Sequence, residues 1–116
     1  MKIIVAGGCN GWCAAPSPPI TTAELYDPKT NTWTKLPDLP FPISAGRMEQ
    51  LNGKPTIIGG RTQFPNTPPG KVEQSNLLIS YNYRTNTWNM DGKINLPRSS
   101  HAVMQIPKTF IPVCFF

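Results

Sequence analysis

Short apolar runs broken by turn residues, with no stretch spaced like one face of a helix, describe this chain from end to end. The middle third shows it best: residues 45–51 (AGRMEQL), 56–60 (TIIGG), 76–83 (NLLISYNY) and 86–90 (NTWNM) each read as a strand. Asn52-Gly53 separates the first two and predicts a two-residue hairpin turn, since both central residues of the favoured turn need positive φ. Tyr83 to Asn86 joins the third to the fourth, and Asp27-Pro28-Lys29-Thr30-Asn31 takes the same place earlier in the chain, with Pro, Asp and Asn where a turn requires them. Four antiparallel strands in this length predict one blade of a β-propeller.

The pattern occurs more than once. TNTW stands at Thr30–Trp33 and again at Thr85–Trp88, and Tyr26 and Tyr81 each precede their tryptophan by 7 residues. FPISAGRMEQLNG from Phe41 answers to LPRSSHAVMQIPK from Leu96 at the same offset of 55. KIIVAGG (2–8) and KPTIIGG (54–60) lie 52 apart, so the second copy has three extra residues between its diglycine and its tyrosine, where an insertion lengthens a loop. A period of this size marks a repeat architecture rather than a chance match.

The order hydrophobic strand, Gly-Gly, long loop, Tyr, Trp, and above all ELYDPKTNTW at Glu24–Trp33, resembles the kelch repeat, of the kind found in BTB-kelch proteins. The resemblance implies an all-β fold, a partial kelch propeller of about two to two and a half four-stranded blades. Residues 1–35 would form an incomplete blade, 44–90 a complete one, and 99–116 the start of a third that loses the pattern at its end. At the repeat offset Cys114 and Phe115 replace the diglycine and Pro112 replaces Ile57, removing a ladder donor from a strand. Such an arc is expected to be a piece of a larger kelch protein, and its open edges are expected to allow self-association.

The repeat residues have physical reasons of their own. Gly7, Gly8, Gly59 and Gly60 end inner strands and let another chain segment come close. Tyr26, Tyr81, Trp33 and Trp88 would fill the wedges between adjacent sheets, each polar tip reaching an acceptor. All eight therefore read as structural.

Net charge is +5, but the 11 basic residues are scattered singly, so no nucleic-acid partner is expected. The amino-terminal apolar run breaks at GGCNG, too early for a signal peptide, and FIPVCFF is too short to span a bilayer, so no membrane association is expected and a cytoplasmic location is. Cys9 and Cys13 have a spacing that could offer two thiolates to a metal, yet zinc needs more ligands than His101 and Cys114 conveniently add. Two reduced thiols in a loop is the expected state, with no cofactor. His101, the single histidine, lies where the kelch pattern starts an inner strand, and a structural hydrogen-bonding role is expected for it. The six carboxylates show no catalytic pairing, so no enzymatic activity is expected of this chain.

There remain two long connections between second and third strands, CNGWCAAPSPPI from Cys9 and RTQFPNTPPGKVEQS from Arg61. Long ordered loops are frequent binding elements, and aromatic and Arg side chains are frequent anchors. Trp12, Arg61 and Phe64 are thus the candidate partner-binding residues of a non-catalytic protein-interaction module. By resemblance, parents of such modules present substrates to a ubiquitin ligase or bind actin. The alternative is a kelch-type oxidase or epimerase whose catalytic residues lie outside this chain.

Overall fold

The computed structural model describes residues 1–9, 19–68, 71–104 and 106. Every regular element among them is a β-strand. In the first sheet β1 (Ile3–Ala6), β2 (Ala23–Asp27) and β3 (Thr32–Leu36) form an antiparallel meander. In the second, β5 (Arg47–Leu51), β6 (Lys54–Ile58), β9 (Leu77–Asn82) and β10 (Thr87–Lys93) pair in the order β10-β9-β6-β5. The four strands read from the sequence are these four. Asn52 (φ 50°) and Gly53 (φ 75°) make the tight turn between β5 and β6, as their side chains favour.

A third, small sheet has no counterpart among the sequence expectations: β4 (Ile43–Ser44), β7 (Arg61–Thr62) and β8 (Glu73–Gln74), in the order β4-β7-β8. Two-residue strands are too short to leave a periodicity, which is why the expected loop proved to contain a sheet.

The two main sheets repeat each other to the level of single hydrogen bonds. Gly8 N–H donates to the Ile43 carbonyl (2.6 Å) and Gly60 N–H to that of Arg98 (2.8 Å). Ile20 N–H donates to Gly8 O (2.9 Å) and Ser75 N–H to Gly60 O (2.7 Å). Leu39 N–H reaches Thr21 O (2.8 Å) and Ile94 N–H reaches Asn76 O (2.7 Å). At each TNTW turn the asparagine is left-handed (Asn31 φ 53°, Asn86 φ 56°), and its Oδ1 accepts the tyrosine hydroxyl, Tyr26 at 2.8 Å and Tyr81 at 2.6 Å. The TNTW tetrapeptide therefore specifies a turn: asparagine tolerates positive φ, and tyrosine locks it. Tyr81→Phe should cost about 0.5–1.5 kcal/mol in urea denaturation, the net worth of one such bond.

The core lies between the two sheets. One face of the first sheet (Ile4, Ala6, Ala23, Leu25, Leu36) meets the face of the second that carries Tyr81 and Trp88. Leu39, Ile43, Ile57 and Ile79 continue the same layer, with Met48 and Leu77 packed against it. The Trp88 indole N–H donates across the interface to Pro37 O at 2.8 Å, which anchors the fourth strand of one blade to the preceding blade.

Trp33 occupies the same register position as Trp88: it pairs with Tyr26 as Trp88 pairs with Tyr81. Its surroundings differ. The ring is stacked on Tyr26 (centroids 4.7 Å apart) but is 55% exposed, and Val5 beside it is 51% exposed, whereas its counterpart Ile57 is 4% exposed. The expectation that both tryptophans fill a wedge thus holds for Trp88 and not for Trp33, because no sheet among the described residues covers that face. Residues 99–104 and 106 form no strand, and Pro112, Cys114 and Phe115 lie outside the described residues.

Candidate functional site

The connection from β6 to β9 begins at Gly59 (φ 66°) and Gly60 (φ 111°), which turn the chain sharply out of the inner strand. β7 then pairs with β4 on one side (Ile43↔Thr62, Ser44↔Arg61) and with β8 on the other (Arg61↔Gln74, Thr62↔Glu73). The connection is therefore a small sheet clamped to the segment that links the two blades. Thr62 is 1% exposed, which fixes the base of this sheet in the core.

Beyond β7 the loop holds itself. Phe64 meets Phe41 edge to face, with centroids 5.0 Å apart and planes at 81°. Phe64 N–H donates to Thr67 Oγ1 (2.9 Å), and Thr67 N–H returns a bond to Phe64 O (2.9 Å). Thr67 Oγ1 donates to the Glu73 carboxylate (2.6 Å), and the Gln63 amide donates to Lys71 O (2.9 Å). The first two bonds close a turn within the outgoing arm and the last two tie that arm to the returning one, so the described residues of the loop hold one another with no partner present. Ordering a loop before binding removes that cost from the association step.

Of the three candidate binding residues, the structure places Arg61 in β7, half-buried, and Phe64 half-buried against Phe41. Phe64 is thus an aromatic that shapes the loop and offers only part of its ring to solvent. Trp12 lies outside the described residues, as does Cys13; of that loop the structure gives the Cys9↔Pro19 bridge. The exposed described residues of the second loop are instead Pro65, Asn66, Pro68, Lys71, Val72 (40% exposed), Glu73 and Gln74. Val72 drew no attention in the sequence, since a single valine between charged residues has no periodic signature.

Two expectations about reactive groups are corrected. Cys9 is disulfide-bonded, not a reduced thiol. The His101 ring makes no hydrogen bond: both nitrogens are buried without a partner among the described residues. The ring lies against the bare Cα of Gly59, where an added Cβ would come within 2.8 Å of Cε1. His101 bonds through its backbone, its carbonyl accepting from Arg47 Nε at 2.5 Å. Among the described residues no three His, Cys, Asp or Glu side chains gather as metal ligands. No helix there is long and apolar enough to cross a membrane.

Antiparallel sheets stacked face to face through the Tyr81–Trp88 pair, a pair that recurs as Tyr26–Trp33 at the same register position, with diglycines at the ends of inner strands, define this as a stack of β-propeller blades. Residues 2–40 match the Kelch motif, and the chain is similar to kelch-repeat proteins. Human Kelch-like protein 21 is 28% identical over 92 residues, which are 79% of this chain and 14% of that protein. An F-box/kelch-repeat protein of Arabidopsis thaliana is 35% identical over 69 residues, 60% of this chain and 17% of the relative. The chain therefore spans about a sixth of the length of these relatives. Among solved structures, that of YjhT superposes with a TM-score of 0.62 at 19% identity, over 81% of this chain and 35% of that one, and shows a shared fold.

Proposed function

We propose that this chain is a non-catalytic protein-binding element of a kelch propeller, and that its second-to-third-strand loops make the contact. The observation that carries this reading is the self-tied β6–β9 loop. A 16-residue connection from Arg61 to Asn76 is far longer than a hairpin needs, and a purely connecting loop has no use for its own sheet and its cross-loop hydrogen bonds. Pre-ordering of this kind favours recognition of a folded partner surface. Kelch-like and F-box/kelch proteins among the relatives are consistent with a parent that presents another protein, as a substrate adaptor or an actin-associated scaffold. Trp12 in the first loop and Arg61 and Phe64 in the second are the proposed anchors, acting in the cytoplasm.

The test is capture of a partner by cross-linking in cells, followed by purified binding measurements. Arg61→Glu combined with Trp12→Ala should weaken binding about 100-fold, the effect of losing two anchor side chains, with the melting transition unchanged. Unaltered binding by a folded double variant would place the interface on another face.

A further inference from the structure

Two Ser/Thr-Pro dipeptides occur in the sequence, Ser17-Pro18 and Thr67-Pro68, and each lies in one of the two long loops. The first is outside the described residues, and the second is at the tip of the β6–β9 loop. Phe64 to Thr67 forms a β-turn with Pro65 in its second place, which suits the fixed φ of proline. Thr67 is half-buried, while Pro65, Asn66 and Pro68 around it are exposed, so the tip is open to an enzyme.

The Thr67 hydroxyl holds this tip together. It accepts from the Phe64 N–H (2.9 Å), which closes the turn, and donates to the Glu73 carboxylate (2.6 Å), which joins the turn to the returning arm. Glu73 is itself paired with Thr62, so one hydroxyl proton fastens the tip to the base of the small sheet. Other hydroxyls of the blade are placed differently: Ser44, Thr56, Thr62, Ser75 and Ser80 are buried, and those of Thr85 and Thr87 bond to each other. Among the described residues Thr67 alone precedes a proline.

We infer that Thr67 is a phosphorylation site and that a phosphate there releases the tip of the loop. In the transfer Thr67 Oγ1 attacks the γ-phosphorus of a nucleoside triphosphate held by a kinase selective for Thr-Pro. The bond from that phosphorus to the β-phosphate oxygen breaks, the nucleoside diphosphate leaves, and the hydroxyl proton passes to the kinase. The proton that Glu73 accepted is then gone, and a group of roughly −1.5 to −2 charge stands where a hydroxyl met a carboxylate. Like charges at that distance repel, so the outgoing and returning arms part at this contact. The Phe64 turn is affected less, since a phosphate oxygen also accepts from a backbone N–H. Any effect on binding rests on the reading of this loop as a contact surface; the modification and the release do not.

The 116-residue chain, treated with ATP and a Thr-Pro-selective kinase, tests this, with mass spectrometry locating the phosphate and amide hydrogen exchange reading the loop. Phosphate is expected on Thr67, and exchange across residues 71–74 should quicken about 10-fold or more, the weight of one hydrogen bond to a charged group. In the Glu73→Gln variant the phosphate should leave exchange nearly unchanged, because the new amide donates to it instead of repelling it. Failure to modify Thr67, transfer to Ser17 alone, exchange unmoved by the phosphate, or an equal quickening in the variant would each overturn the proposal. A chain phosphorylated and loosened at Thr67 that still binds its cross-linked partner with full affinity would uphold the modification and move the interface off this loop.

Discussion

Trp88→Ala is expected to destabilise the chain by about 3–5 kcal/mol, the cost of emptying a tryptophan site in a packed interface. That is a large part of the roughly 5–15 kcal/mol that holds most domains folded. Three contacts go at once. The indole packs against both core clusters, it stacks on Tyr81 at 5.2 Å, and it donates to Pro37 O, which is then left without that partner. Trp33→Ala should cost about 1 kcal/mol or less, since its ring touches little beyond Tyr26 and exposed substitutions have small effects. Urea denaturation followed by far-UV circular dichroism, at a concentration low enough to keep the chain monomeric, measures both. Equal losses at the two positions would mean that the Trp33 face is covered in the monomer.

Gly60→Ala is the second large effect, about 3 kcal/mol or more. At φ 111° an L side chain is strained whatever its surroundings, and here the added Cβ would sit 2.8 Å from Ser44 O and 2.9 Å from Ile43 Cγ2. Backbone at that distance cannot turn aside as the end of a flexible side chain can. Gly8→Ala supplies the control, because Gly8 holds the same repeat position at φ 95° with no atom within 4 Å of the added carbon. Its loss should stay within the roughly 1–3 kcal/mol of conformational strain alone. The same denaturation experiment reads the difference, and equal losses would remove the steric part of the explanation.

The contrast between Gly8 and Gly60 shows how much of this fold was legible in the chain. Both glycines were visible as repeat positions, because the requirement for positive φ acts through the residue's own backbone. What each would collide with was not visible, since Ser44 and Ile43 reach Gly60 only through the pairing of β4 with β7. The candidate site divides along the same line. The length of the second loop, its prolines and its aromatic residue are sequence facts, but the edge-to-face contact of Phe64 with Phe41 joins residues with no local relation. His101 shows the limit most plainly. A lone histidine at the start of an inner strand suggested a hydrogen-bonding ring, and the close approach of Gly59 made it a packing surface instead.

By itself the sequence determined the strands, the Asn-Gly and TNTW turns, the diglycine bends and the period that repeats them. These are settled by backbone sterics and local hydrogen bonds within a few residues of each other. Only the tertiary structure decided that Trp88 packs in the core while Trp33 is exposed, and that the second long loop carries a small sheet. Those outcomes depend on which face meets a neighbour. Identical residues at identical repeat positions carry no information about whether that neighbour is there.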